Sequence, residues 1–234
     1  EIPDSGRTSK GVNLVNLIPV DQDESIQAVI SIGDMEKDGY LVFATTSGLI
    51  KKTTLHDLSN IRKTGLIAMN LREGDSLLNV KYTRGDANLL LVTRDGYAIK
   101  FNEHDVRPMG RTATGVKCIT LRTGDVCVSF DIAVDGEDIL VVSENGLGKR
   151  TPTDQYKLQN RGGKGLIAYK VTGKTGYVVG ARSCSNEDEL LLVNSDGVAI
   201  RINVSEISIT SRNAMGVKLM KTSEDQALTP AGKK

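Results

Sequence analysis

Four short apolar runs recur along the chain, and each ends in a polar turn closed by glycine. They are Leu41-Val-Phe-Ala-Thr-Thr-Ser-Gly48, Leu89-Leu-Leu-Val-Thr-Arg-Asp-Gly96, Ile139-Leu-Val-Val-Ser-Glu-Asn-Gly146 and Leu190-Leu-Leu-Val-Asn-Ser-Asp-Gly197. These glycines are spaced by 48, 50 and 51 residues. A second series stands at Gly11, Gly65, Gly115, Gly165 and Gly216, spaced by 54, 50, 50 and 51. Two independent series with one period mark a repeat architecture.

Each unit holds four short strand-like runs. In one unit they are Asn88–Thr93, Tyr97–Phe101, Val116–Leu121 and Val126–Ile132. Asp95-Gly96, Asn145-Gly146 and Asp196-Gly197 predict two-residue hairpins of type I′, in which both turn residues take positive φ. A second polar turn follows at Arg72-Glu-Gly-Asp75 and Arg122-Thr-Gly-Asp125. No helical period of useful length appears. Four short antiparallel strands per unit predict an all-β, propeller-like array of ~50-residue blades, about four to five in this chain. The repeat domain is expected over 1–222, with a polar, disordered tail over 223–234.

Composition refines this picture. Of 234 residues, 39% are apolar and 25% charged, so a packed core is expected and disorder is not. The 24 glycines occur without a collagen period and fit many tight turns. No apolar stretch approaches the ~20 residues of a membrane helix. Cys118, Cys127 and Cys184 show no metal-binding spacing and read as buried thiols in a reducing compartment. Two histidines, His56 and His104, exclude a His-rich metal site. The chain opens at Glu1 without a Met or a signal peptide, which predicts a fragment of a cytoplasmic protein. The net charge of +1 argues, at first sight, against a nucleic-acid binder.

The placement of the cations reverses that inference. Four residues after each hairpin glycine stands Lys52, Lys100, Arg150 or Arg201, with Lys51 and Lys149 one residue earlier in two units. Strand alternation in Tyr97-Ala-Ile-Lys-Phe101 puts these cations on the face opposite the large apolar side chains, which predicts a solvated face. Arg7, Arg111, Arg161 and Arg212 each stand four before a glycine of the second series, whereas the unit at Gly65 has Ile61 there and Arg62 next. A cation at one point of every blade predicts a stripe that matches a bent phosphate backbone. The competing reading is that each arginine ties a blade corner.

One loop is the most specific local signal: Gln159-Asn160-Arg161-Gly162-Gly163-Lys164-Gly165. Its paired glycines would let backbone N–H groups approach an anion beside two cations. Gly173-Lys-Thr175 mimics part of a P-loop but lacks the earlier glycine and a following helix, and reads as a polar turn. Asn203-Val-Ser205 fits a glycosylation sequon without other signs of secretion. Asp57, Asp105 and Glu206 recur nine after the hairpin glycine, which argues for a corner role rather than one asymmetric catalytic pair.

Together these residues resemble the C-terminal DNA-wrapping domain of the bacterial DNA gyrase A subunit. The resemblance runs through Glu1-Ile-Pro, Gly11-Val-Asn-Leu-Val-Asn-Leu17, Ser59-Asn-Ile-Arg-Lys-Thr-Gly65, Asp105-Val-Arg-Pro-Met-Gly-Arg-Thr-Ala-Thr-Gly115, Gly148-Lys-Arg-Thr-Pro152 and Val204-Ser-Glu-Ile207. It implies a β-pinwheel, a propeller-like disc whose blades exchange strands, with duplex DNA wrapped around a basic rim largely independently of sequence. In that family the wrap serves ATP-dependent negative supercoiling by an A2B2 complex in the bacterial cytoplasm, on the nucleoid and not at a membrane. On that reading the recurrent cations Lys51, Lys52, Lys100, Lys149, Arg150, Arg201, Arg111, Arg161 and Arg212, with Lys164 of the box-like loop, are the expected DNA contacts. The family's defining box, Q-x-R-G-G-x-G, lies on its first blade. Gln159–Gly165 comes after about three units and resembles the secondary copy that some members carry, which implies weaker bending. The cleavage region with its nucleophilic tyrosine has no counterpart here, so no catalytic centre is expected, and ATP and Mg would bind elsewhere in the complex. The alternatives are a protein-interaction propeller of the WD-repeat sort and the corresponding domain of the topoisomerase IV A subunit. The absent Trp and the longer period speak against the former.

Overall fold

The computed structural model describes residues 12–13, 16–18, 20, 24–32, 38–62, 64–221 and 228–229. Arg7 and Gly11 therefore lie outside the described residues. The chain forms strands β1 (Tyr40–Thr45), β2 (Leu49–Thr54), β3 (Leu77–Thr83), β4 (Asn88–Thr93), β5 (Tyr97–Asn102), β6 (Val116–Lys117), β7 (Cys127–Ile132) and β8 (Asp138–Ser143). It continues through β9 (Leu147–Pro152), β10 (Leu166–Ile167), β11 (Val178–Cys184), β12 (Glu189–Asn194), β13 (Ala199–Asn203), β14 (Val217–Lys218) and β15 (Leu228–Thr229). Three sheets have four strands, in the orders β3-β1-β2-β6, β10-β5-β4-β7 and β11-β8-β9-β14. A fourth, β13-β12-β15, has three.

The third strand-like run of each unit belongs to the preceding blade. Val116–Lys117 pairs with Leu49 and Ile50, Leu166–Ile167 with Tyr97 and Ala98, and Val217–Lys218 with Leu147 and Gly148. This exchange staples adjacent blades through the backbone and makes the array a β-pinwheel. The expected strand Val116–Leu121 is shorter than predicted, because Cys118 leaves the ladder to donate its N–H to the Gly48 carbonyl at 2.8 Å. Equivalent bonds join Ala168 to Gly96 and Leu219 to Gly146.

The second glycine series stands where the exchanged chain crosses the neighbouring hairpin. Gly115, Gly165 and Gly216 have φ of +90°, +69° and +81°, and a Cβ there would come within 2.6, 2.6 and 2.3 Å of the carbonyl oxygens of Ile50, Ala98 and Gly148. Neither the conformation nor the space admits another residue. The first series closes the hairpins differently from the type I′ expectation. Positive φ occurs only at glycines among the described residues. The Gly48, Gly96 and Gly146 N–H groups bond to the carbonyls of Thr45, Thr93 and Ser143, three residues back. Each loop is thus a three-residue connection, a type I turn closed by a left-handed glycine. The second polar turn clasps this hairpin. Asp75 accepts from the Ser47 N–H at 2.9 Å, and Asp125 from the Asp95 N–H at 3.1 Å.

The second and third blades are buried on both faces. Leu89 and Leu91 pack with Val42 and Ile50 of the first blade, while the alternate residues Leu90 and Val92 pack with Ile139 and Val141 of the third. Leu140 and Val142 then meet Leu190 and Leu192 of the fourth. This two-sided burial explains the unbroken apolar runs. The cysteines are buried free thiols. Of the expected tail, Leu228–Thr229 form a strand on β12, and the rest lies outside the described residues.

Candidate nucleic-acid interface

In the first three blades the cations at the hairpin positions do not face solvent. Lys51, Lys52, Lys100, Lys149 and Arg150 are all buried, which corrects the solvated-face expectation. The strand alternation was read with the right parity, but the face that it selects is covered by the next blade. Lys100 shares its face with Ala98, which packs against the third blade. The long stems run through this junction, and the heads meet backbone carbonyls of the next unit. Lys52 Nζ donates to Glu103 O at 2.9 Å and Lys100 Nζ to Thr153 O at 2.8 Å. Arg150 donates through Nε to Ile207 O at 2.8 Å and through Nη1 to Asp138 at 3.2 Å. The carbonyl acceptors flank or lie in 3-10 turns, so each cation ties one blade to the corner of the next, while Asp138 holds Arg150 from within its own blade.

Lys51 and Lys149 are placed deeper. Lys51 Nζ donates to Ala68 O and Arg111 O, and Lys149 Nζ to Ser211 O at 2.6 Å and to Arg212 O. Burial lowers Lys51 to about 8, with repulsion from Arg111 added and Asp57 opposing. Burial, then repulsion from Arg212, lowers Lys149 to about 7. Burial also lowers Lys100, against the pull of Asp135 and Asp154. Arg201 repeats the position of Arg150 in the fourth blade but is exposed, with Glu189 at 3.3 Å.

A set of exposed cations lies on the loops that carry the exchanged strands. Arg107, Arg111 and Lys117 are exposed on the segment after β5, Lys157 and Lys164 on the loop after β9, and Lys218 on β14. Arg161 and Arg212 are half-buried, because each reaches back to the preceding loop. Arg161 donates to Lys117 O and to Asp105 O, the latter at 3.2 Å, and Arg212 to Ile167 O at 2.6 Å. These two arginines thus join successive loops into one surface and also serve the corner role that the competing reading gave them. Arg72 and Arg122, from the second polar turns, are exposed beside it. Arg122 stacks 3.1 Å from the centroid of the Tyr97 ring and donates to Lys164 O at 3.4 Å. Nothing marked Arg122 in the sequence except its recurrence at Arg72.

In the box-like loop the glycines dock rather than stand open. Gly162 N–H donates to Cys118 O at 2.6 Å, and the Gly162 and Gly163 carbonyls accept from Thr120 at 2.8 Å each. Gln159 N–H bonds Lys100 O at 2.8 Å. The Gly162 N–H expected to meet an anion is therefore occupied by the preceding loop, while Asn160 and Lys164 stay exposed. Gly173-Lys-Thr175 is a polar turn, with Asn145 bonded to its carbonyls. Asp57, Asp105 and Glu206 all lie in 3-10 turns at the loop bases. Among the described residues no cluster of acidic, His or Cys side chains could hold a metal ion, and no helix is long and apolar enough to cross a membrane.

A pinwheel whose exchange loops present cations outward is the class of molecule that fold and surface define. The profile of the family described as "DNA gyrase C-terminal domain, beta-propeller" matches residues 1–32, 39–84, 87–133, 137–185 and 188–231. The chain belongs to that family. It is 53% identical over 233 residues to the DNA gyrase A subunit of Clostridium acetobutylicum, covering 100% of this chain and 28% of that protein. It is 43% identical over 236 residues to that of Staphylococcus epidermidis, covering 26% of it. The chain thus spans about a quarter of the relatives that it matches. The solved structure titled "Structure of DNA gyrase A C-terminal domain" superposes with a TM-score of 0.86 at 30% identity, covering 96% of this chain and 75% of that one. The C-terminal domain of a DNA topoisomerase IV superposes with a TM-score of 0.89 at 29% identity, covering 95% of this chain and 70% of that one.

Proposed function

We propose that this chain binds duplex DNA on the surface of its exchange loops and bends it around the blades, largely without reading sequence. It acts as the C-terminal part of a gyrase A subunit. Its partners are the remainder of that polypeptide and gyrase B, in a cytoplasmic A2B2 complex. The chain itself supplies no catalytic centre. Strand cleavage, ATP and Mg belong to other parts of the complex. The observation that carries the reading is the repetition of exposed cations, Arg107, Arg111, Lys117, Lys157, Lys164 and Lys218, on loops held at fixed register by strand exchange. Phosphate contacts of this kind orient a duplex but carry no base information. Asp105, Asp154 and Glu206 stand at the bases of the same loops, and the remaining acidic residues are spread along the chain, so a net charge of +1 is compatible with cations clustered on the outer parts of the loops.

Replacing these six cations by Ala tests the reading. The slope of log affinity against log salt should fall by roughly one unit for each phosphate that the variant no longer neutralises, with weaker binding at low salt. The superposition on a topoisomerase IV domain supports a second reading, in which the chain selects DNA segments for that enzyme. A positive linking-number change left on a closed circle by a relaxing topoisomerase favours the gyrase reading, and binding without such a change favours the second.

A further inference from the structure

Three exchange loops hold out an apolar side chain at one shared register, apart from Ile167 and Val217 on the exchanged strands themselves. Pro108, Leu158 and Ile209 occupy the same place in three loops, two residues after the buried Val106, Tyr156 and Ile207. Leu158 is 59% exposed and Ile209 55%, and Pro108 is also exposed. Their backbone is not free to turn inward. Pro108, Leu158 and Ile209 form single parallel bridges with Lys52, Lys100 and Arg150. The next residue of each loop, Met109, Gln159 or Thr210, donates to the carbonyl of that buried cation at 2.7–2.8 Å. Isolated exposed apolar residues need no explanation, but one at the same register in three successive loops, beside the cations, does; the first blade has Asn60 at that place.

We propose that Pro108, Leu158 and Ile209 are wedges that contact sugar and base edges in the minor groove and set how sharply the bound duplex bends. The proposal rests on the DNA reading above and assigns a division of labour within that surface. Arg107 and Lys157 stand directly before two of the wedges and would hold the flanking phosphates. An apolar side chain between phosphate-bound cations meets the groove floor rather than the charged backbone. Proteins that curve DNA commonly place such side chains against base steps where the minor groove faces inward. The rigid bridge beneath each residue lets it press on the duplex without yielding. Flexible pyrimidine–purine steps would then sit preferentially over the wedges, because they kink most easily.

The test uses the 234-residue chain with Leu158→Ser and Ile209→Ser together, a conservative pair Leu158→Met and Ile209→Val, and a control Val134→Ser on an exposed turn outside these loops. Bending is read from end-to-end energy transfer on a labelled duplex and from linking-number change in a closed circle. Binding is read from the salt slope, and folding from the thermal midpoint. The serine pair is expected to lose at least half of the bend and linking-number change while keeping the parent salt slope and melting temperature. The conservative pair and the control should behave as the parent. Full bending by the serine pair overturns the wedge assignment and leaves the DNA reading standing. A lower salt slope in that pair also overturns it, since the residues would then act through the cations. Absence of duplex binding by the parent overturns the DNA reading and the wedges with it.

Discussion

Arg150 and Arg201 occupy the same place in consecutive units, and their fates are opposite. The Arg150 side chain is 5% exposed and spreads over Ile207, Ser205, Asp138 and Asn186. The Arg201 side chain is 63% exposed and pairs with Glu189 of its own blade. The difference lies in what stands beside the blade. A following unit brings carbonyls to Arg150, while the face of the fourth blade leaves Leu191 and Val198 exposed. The same contrast separates the two sets of cations as wholes. Of those four after the hairpin glycines, Lys52, Lys100 and Arg150 are inter-blade ties, and those on the exchange loops are a surface. Recurrence of charge marks a position shared by every blade, but the neighbouring blade decides whether that position is structural or available to a ligand.

The largest effect should come from breaking a tie. Arg150→Ala leaves Asp138 and several carbonyls facing an empty junction and should cost about 3–5 kcal/mol, the usual penalty for removing one partner of a buried ion pair. Arg201→Ala should stay within about 0.5 kcal/mol, as for an exposed pair. Urea unfolding of the two variants side by side checks this, and similar losses would contradict the assignment of roles.

A smaller effect should separate the crossing glycines from those with open space. Gly216→Ala would force a Cβ against Gly148 O, whereas a Cβ on Gly65 meets nothing within 4 Å. Both adopt positive φ, so both carry the ~1 kcal/mol conformational penalty, and only Gly216→Ala adds the steric one. Gly216→Ala should therefore lower the thermal midpoint clearly more than Gly65→Ala. Equal shifts would show that the exchanged chain can slide away from the hairpin.

The most gradual effect, small at any one pH step, is a dependence on pH. Lys149 is lowered from 10.5 to about 7 by burial. Between those values the unfolded chain holds a proton that the folded chain has released. Stability therefore rises as pH increases from about 7 toward 10, by at most about 1.4 kcal/mol per unit for one such site. Below about pH 7 both states are protonated and the dependence vanishes. Lys149→Met should flatten that rise, read from urea midpoints across the window. An unchanged slope would mean that Lys149 keeps its proton in the fold.

The repeat and its glycines were legible in the sequence because local geometry dictates them. A hairpin tip and a crossing point each need a backbone that only glycine supplies without strain. The turn type was less so, since Asp-Gly serves a type I turn closed by glycine as readily as a type I′ turn. The partner of Val116–Lys117 was invisible, because nothing in two residues states which blade they join. The burial of Lys52 and Lys100 was misjudged for a related reason. Alternation separates the two faces of a strand, but it names the solvent side only when one face is wet. In the box-like loop the residue types were legible and their use was not, because the Cys118 carbonyl that occupies Gly162 comes from about forty residues earlier.

The account rests on DNA meeting the exchange loops rather than the hairpin cations. The most direct test is the salt dependence of duplex affinity for the chain carrying Arg107→Ala, Arg111→Ala, Lys157→Ala and Lys164→Ala, compared with the parent. The predicted result is a slope reduced by roughly three to four units, with the thermal midpoint unchanged. A parental slope in this folded variant would contradict the account and place the DNA elsewhere on the pinwheel.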